Sequence, residues 1–187
     1  MKMKKLTAVI SLGALLAFSL VALTGCGAND EQVIREAIAD ELDSYKTLDD
    51  EVVNTLIADM DADELSDYGI DGAEFIKSYL SGFDYTIDSV TVDGDTAEAV
   101  ITMTCKSYSG YEKALEEAAT SIMEDESILK MSEEEVNALI GSTIMDALDS
   151  VEVAQTEPVT IEYTKSGNVW EPAASTSNDV ATALMTN

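Results

Sequence analysis

Phe83-Asp-Tyr-Thr-Ile-Asp-Ser-Val-Thr-Val-Asp-Gly-Asp-Thr-Ala-Glu-Ala-Val100-Ile-Thr-Met-Thr-Cys105 decides the fold. Phe83, Tyr85 and Ile87 alternate with polar residues, the period of a strand with one buried face. Val90 and Val92 resume the alternation one residue out of phase, so a bulge is expected near Asp88-Ser89. Asp93-Gly94-Asp95 is a tight-turn signal. Beyond it Ala97, Ala99, Ile101, Met103 and Cys105 lie on one face. The segment reads as a β-hairpin with one apolar side.

On the N-terminal side the period becomes helical. Val33, Ile34, Ala37, Ile38, Leu42 and Tyr45 predict a helix over Asn29–Tyr45, and Val52, Val53, Leu56, Ile57 and Met60 predict another over Thr47–Met60. Asp71-Gly-Ala-Glu74 opens a third, with Ile70 and Phe75 placed as a hydrophobic staple. On the C-terminal side, residues 110–150 return to a 3.6 period through Tyr111, Leu115, Ala118, Ile122 and Leu129. The chain then breaks near Lys130-Met131 and restarts at the capping box Ser132-Glu-Glu-Glu135. Val159, Ile161 and Tyr163 alternate again, Pro158 marks a kink or an edge, and Ser166-Gly167-Asn168 turns the chain toward Val169-Trp170. Residues 173–187, rich in Ala, Ser and Thr, read as a mobile tail in which Asn178 could cap a short helix. The expected fold is therefore α+β: short N-terminal helices packed on a curved antiparallel sheet, with a helical insertion at about 110–150 between two hairpins.

The first thirty residues set an address. Lys2, Lys4 and Lys5 precede an uncharged apolar run from Leu6 to Leu23, which is the order of a secretory signal and is also long enough for a single uncleaved membrane-anchor helix. Leu23-Thr24-Gly25-Cys26 resembles the bacterial lipobox, an aliphatic residue and two small ones before Cys. The resemblance implies cleavage before Cys26, a diacylglyceryl group on its sulfur, palmitate-type acylation, and a place on the extracytoplasmic face of the cell membrane. It also implies residues 1–25 as signal peptide and 26–29 as a lipidated tether, followed by one domain at 30–172. Two acyl chains anchor stably where one is marginal.

The chain has 187 residues, 10 Lys+Arg, 37 Asp+Glu and no His. Removing residues 1–25 takes away three lysines and no acid, leaving seven basic against 37 acidic residues, a charge of −30. An apolar content of 46% keeps so acidic a chain in the globular range. Nucleic-acid binding, which needs Lys and Arg on phosphates, is not expected. Without His there is no imidazole ligand or base, and no Ser-His-Asp or Cys-His nucleophile.

The hairpin above and Val159-Thr-Ile-Glu-Tyr-Thr-Lys-Ser-Gly-Asn-Val-Trp170 resemble small secreted domains of the nuclear-transport-factor-2-like (cystatin-like) class. That resemblance implies a cone-like sheet with helices in its concavity and a Gram-positive host. It implies no shared activity, because the cone serves enzymes and binding modules alike.

Candidate chemistry is sparse. Asp59, Asp61, Asp63 and Asp67 fail as a calcium loop, because Glu64 and Ile70 stand where Gly and Glu are needed. No metal and no cofactor are expected. Cys26 is assigned to lipid, and Cys105 falls on the apolar strand face. Glu116, Glu117, Glu124, Asp125, Glu126 and Glu133 to Glu135 make the insertion acidic, a solvated face or a docking surface for a basic protein partner. Tyr45, Tyr68, Tyr79, Tyr85, Tyr108, Tyr111, Tyr163 and Trp170 are core or the lining of a small-ligand pocket. The expectation is a lipid-anchored, non-catalytic binding or interaction module. The rivals are a carboxylate-based hydrolase and an envelope spacer.

Overall fold

The computed structural model describes residues 23–24, 30–59, 65–124 and 126–187. In chain order the elements are β1 (Leu23–Thr24), α1 (Asp30–Lys46), α2 (Asp50–Asp59), α3 (Gly72–Tyr79), β2 (Asp84–Asp93), β3 (Thr96–Lys106) and α4 (Tyr108–Glu124). A 3-10 turn (Glu126–Lys130), α5 (Glu133–Ser150), β4 (Val153–Gln155), β5 (Val159–Ser166), β6 (Val169–Pro172) and α6 (Thr176–Thr186) follow. The fold is α+β, with one antiparallel sheet in the order β1-β6-β5-β3-β2 and β4 beside the end of β3.

The sheet follows from the alternation. Ala97, Ala99, Ile101, Met103 and Cys105 are buried along β3, as are Val159, Ile161 and Tyr163 along β5 and Trp170 on β6. Helix α1 covers this face with Ile34, Ile38, Leu42 and Tyr45, and one continuous core joins them to Phe75, Ile76, Tyr111, Ile144 and Leu148. The expected bulge is present: Ile87 pairs with Ile101, Ser89 pairs with Val100, and Asp88 is the extra residue. Its carboxylate accepts hydrogen bonds from Thr86 at 3.1 Å and Thr102 at 2.7 Å, which pins the slip. At the turn Gly94 takes φ +62°, a backbone state that costs glycine little.

Across β2, α1 is held by polar clasps. Tyr85 donates to Asp43 at 2.9 Å, Arg35 to the Ile87 carbonyl at 3.0 Å, and Lys46 to Asp84 at 2.8 Å. Pro158 marks a gap between β4 and β5, both of which pair with β3. The gap is closed by Thr156, whose N–H donates to the Met103 carbonyl at 2.8 Å while its hydroxyl accepts from Met103 N–H at 3.2 Å. A side chain here replaces a ladder partner that the kinked backbone cannot supply.

Most of the stretch at 173–187, expected as a mobile tail with a possible short helix, is helical. Residues 176–186 form α6, which packs on β5 and α4 with Val180 and Leu184 buried. Its cap position is Ser175, not Asn178. The few apolar residues at 180 and 184 lie one helical turn apart, and that spacing is masked by the Ala/Ser/Thr composition around them. The second helix is also shorter than its pattern. Leu48 takes φ +55° between α1 and α2, so α2 starts at Asp50, with Asp49 Oδ1 accepting from Glu51 N–H at 2.9 Å. Met60 lies outside the described residues.

Candidate functional site

Residues 108–150 form a helical hairpin. Ser132 and Glu135 make the expected capping box in both directions, which fixes the start of α5. The root of the hairpin is in the core through Tyr111, Ile144, Ala147 and Leu148. Gly141 lies where α5 crosses the Tyr68 carbonyl so closely that a Cβ would collide with it. The seam loosens outward: Leu115 and Ile140 are half-buried, Ala118, Ile122, Val136 and Leu139 are half-buried outside the main core, and Met123 and Leu129 are 63% and 88% exposed.

Between the helices runs an open groove of about 490 Å³. Ala114, Ala118 and Ile122 on one side and Thr143, Ala147 and Ser150 on the other form its small, weakly polar floor. Glu117 and Asp146 stand on its rims. Glu116, Glu124, Glu126 and Glu133 to Glu135 are all exposed, and Asp125 lies outside the described residues. Lys113, exposed, lies 3.9 Å from Glu117, and Lys130, also exposed, ends the 3-10 turn. The insertion thus presents an open groove of mixed small apolar and hydroxyl side chains between acidic rims, an arrangement able to hold a chain of opposite charge.

The aromatic residues go mostly to the core. Tyr45, Tyr108, Tyr111, Tyr163 and Trp170 are buried, and Tyr68, Tyr79 and Tyr85 are half-buried against the core. Burial pushes the Tyr45 hydroxyl up to about 12 and raises those of Tyr79, Tyr111 and Tyr163 further. Cys105 is buried too, and burial pushes its thiol up to about 11, against a contact from the Asn187 amide at 3.2 Å. A protonated thiol in that setting is a poor nucleophile and a poor metal ligand. Among the described residues no group of three or more His, Cys, Asp or Glu could hold a metal ion. Of the Asp59 to Asp67 series, Asp67 is exposed, and Asp61 and Asp63 lie outside the described residues.

Two lysines that no local sequence pattern marks also hold the fold together. Lys106 is buried, donates to the Leu148 carbonyl at 2.8 Å and lies 3.7 Å from Asp149. Burial lowers its pKa, and the Asp149 charge opposes that. A cation on the last carbonyls of α5 complements that helix end and ties the hairpin to β3. Lys165 pairs with Asp30 at 2.6 Å, with both side chains under one-fifth exposed, and its ammonium lies 5.1 Å from the centre of the Trp170 ring. The hydrogen bond from Lys165 holds the Asp30 carboxyl below its ordinary range, against burial, with help from the Trp170 indole. Trp170 Nε1 and Asp30 Oδ1 nevertheless each lack a fully formed hydrogen bond. This cluster fixes the first residue of α1, four residues after Cys26, to the β5–β6 hairpin.

Cys26, the lipidation candidate, lies outside the described residues. Leu23 and Thr24, just before it, form β1 against Trp170 and Val169 of β6. Among the described residues no helix is long and apolar enough to cross a membrane.

No protein-family model matches the chain, and no curated protein sequence matches it. Among solved structures, it is similar to ycdA of Bacillus subtilis strain 168, a protein provisionally designated a lipoprotein, at 15% identity and a TM-score of 0.46. The likeness covers 96% of this chain, which spans 57% of the length of that one.

Proposed function

We propose that this protein is a lipid-anchored interaction module of the cell envelope, without catalytic activity of its own. Residues 1–25 are its signal peptide, Cys26 carries the lipid, residues 26–29 are the tether, and the domain stands on the extracytoplasmic face of the membrane. The lipobox Leu23-Thr24-Gly25-Cys26 after a charged start and an apolar run supports the anchor. We also assign the sheet and α1 to the nuclear-transport-factor-2-like class. The bulged β2–β3 hairpin and the closing β5–β6 hairpin support that assignment.

The observation that carries the interaction reading is the open seam between α4 and α5. A helical pair normally buries its apolar stripe on a third layer. Here the distal half of the stripe stays half-exposed beside a groove with acidic rims. The partner this favours is a basic, amphipathic segment laid along the groove. Glu117 and Asp146, the carboxylates at the groove, both stand exposed on its rims, so the hydrolase rival lacks a specific observation in its favour.

A photo-crosslinker at Ala118, in intact cells, tests the interaction. One discrete adduct is expected, weakened by high salt and by Glu117→Gln with Asp146→Asn. A crosslinker at Thr91, exposed on β2, should not give it. Equal labelling from Ala118 and Thr91, or an adduct indifferent to salt and to both substitutions, would contradict the docking reading.

A further inference from the structure

The outer edge of β6 is the next place where the fold offers something to a partner. On its inner side β6 pairs with β5 through Val169, Trp170, Glu171 and Pro172. On its outer side stands β1 alone, with Leu23 opposite Trp170 and Thr24 opposite Val169. Cleavage before Cys26 would take β1 away, because both residues lie in the signal segment. No other described strand pairs with that side of β6. An uncovered edge presents unpaired N–H and C=O groups, which another extended chain can satisfy.

We propose that Leu23–Thr24 is a removable strap on β6, and that processing opens this edge to an extended, uncharged segment of another envelope protein. The inference rests on the lipoprotein reading above for the processing step. The seated strap shows the occupant that the edge accepts: antiparallel, short and uncharged. Pro172 has no N–H to offer, so the edge admits about three residues of ladder. A second copy of the mature chain is disfavoured, because each copy would bring a charge of −30 to the contact. The Asp30–Lys165 pair holds the root of the tether at the same hairpin. Strap, edge and the first residue of α1 therefore share one end of the domain, the end that the proposed lipid would hold close to the membrane.

The test is hydrogen exchange over residues 169–171, read by mass spectrometry on full chains extracted in detergent. Three are compared: the uncut Cys26→Ala chain, the same chain with Leu23→Pro and Thr24→Pro, and the wild type processed in cells. The uncut chain is expected to exchange about tenfold or more slowly there than the other two, with residues 99–103 of β3 equally protected in all three. A peptide with the sequence of residues 20–25, added to the processed chain, should restore protection at 169–171. Equal exchange in the uncut chain with and without the prolines would overturn the strap. Failure of the peptide to protect, or protection of the processed chain through its own dimerisation, would overturn the strand-accepting edge. The intact mass of the wild type reports separately whether cleavage occurs, and the proline comparison does not depend on it.

Discussion

Asp30 and Lys165 bring together most of what the fold does at the scale of single residues. Their ion pair is largely shielded, stacks its ammonium on Trp170, and anchors the first turn of α1 to the sheet. The Asp30 carboxyl is held below its ordinary value of 3.8 first by the Lys165 hydrogen bond. Asp84, paired with Lys46, and Glu135, which accepts from the Ser132 backbone, are lowered as well. A carboxylate with a lowered folded pKa adds stability that is fully present above its unfolded value and is lost as pH falls through the folded one. Acid should therefore loosen the fold below about pH 4, where the unfolded chain takes up protons first. Lys165→Met should lower the urea midpoint at neutral pH and flatten this acid limb, read by Trp170 fluorescence. Gly141 makes a different demand. Gly141→Ala forces a methyl against the Tyr68 carbonyl and should cost about 2–3 kcal/mol in urea unfolding, the scale of an overpacked core.

The helical hairpin shows how an element is set by its ends. Ser132 supplies a reciprocal cap for α5, and Ser132→Ala should cost about 1 kcal/mol of stability by urea titration. At the other end Lys106 occupies the α5 carboxyl terminus through the Leu148 carbonyl. Lys106→Met should cost about 1–2 kcal/mol, since the carbonyl loses a charged donor inside the protein. The two ends differ in what the sequence discloses. A capping box is a local pattern, so Ser132, Glu135 and the break before them are legible from four residues, and so are the bulge at Asp88 and the alternation of β3. Lys106 is one basic residue at the end of a strand, and only tertiary packing brings it to a helix 42 residues away. The same holds for Lys165 and Asp30, 135 residues apart. For helix α6 a short helix is legible but its start and docking are not: its two buried anchors, Val180 and Leu184, are too few to stand out of a polar composition. The acidic insertion was legible as charge, but the groove was not. Half-burial at Ala118, Ile122, Val136 and Leu139 depends on how far the hairpin extends past the core.

At the scale of the whole molecule, charge and attachment dominate. A processed chain with seven basic and 37 acidic residues repels itself, and compaction works against that repulsion. Raising salt from about 0.05 to about 0.5 M should therefore raise the melting temperature, because the Debye length shortens from roughly 14 to 4 Å. The apolar core absorbs the repulsion, and the acids sit on caps, rims and turns around it. On the proposed lipidation of Cys26, the four residues from there to Asp30 would keep the start of α1 within about 14 Å of the lipid, at 3.3–3.6 Å per extended residue. The measurement that tests that attachment most directly is the intact mass of the protein extracted from membranes of the cells that make it. A chain beginning at Cys26 and carrying the mass of a diacylglyceryl group is expected, with both changes abolished by Cys26→Ala. A chain that retains residues 1–25, or one that begins elsewhere with an unmodified Cys26, would contradict it.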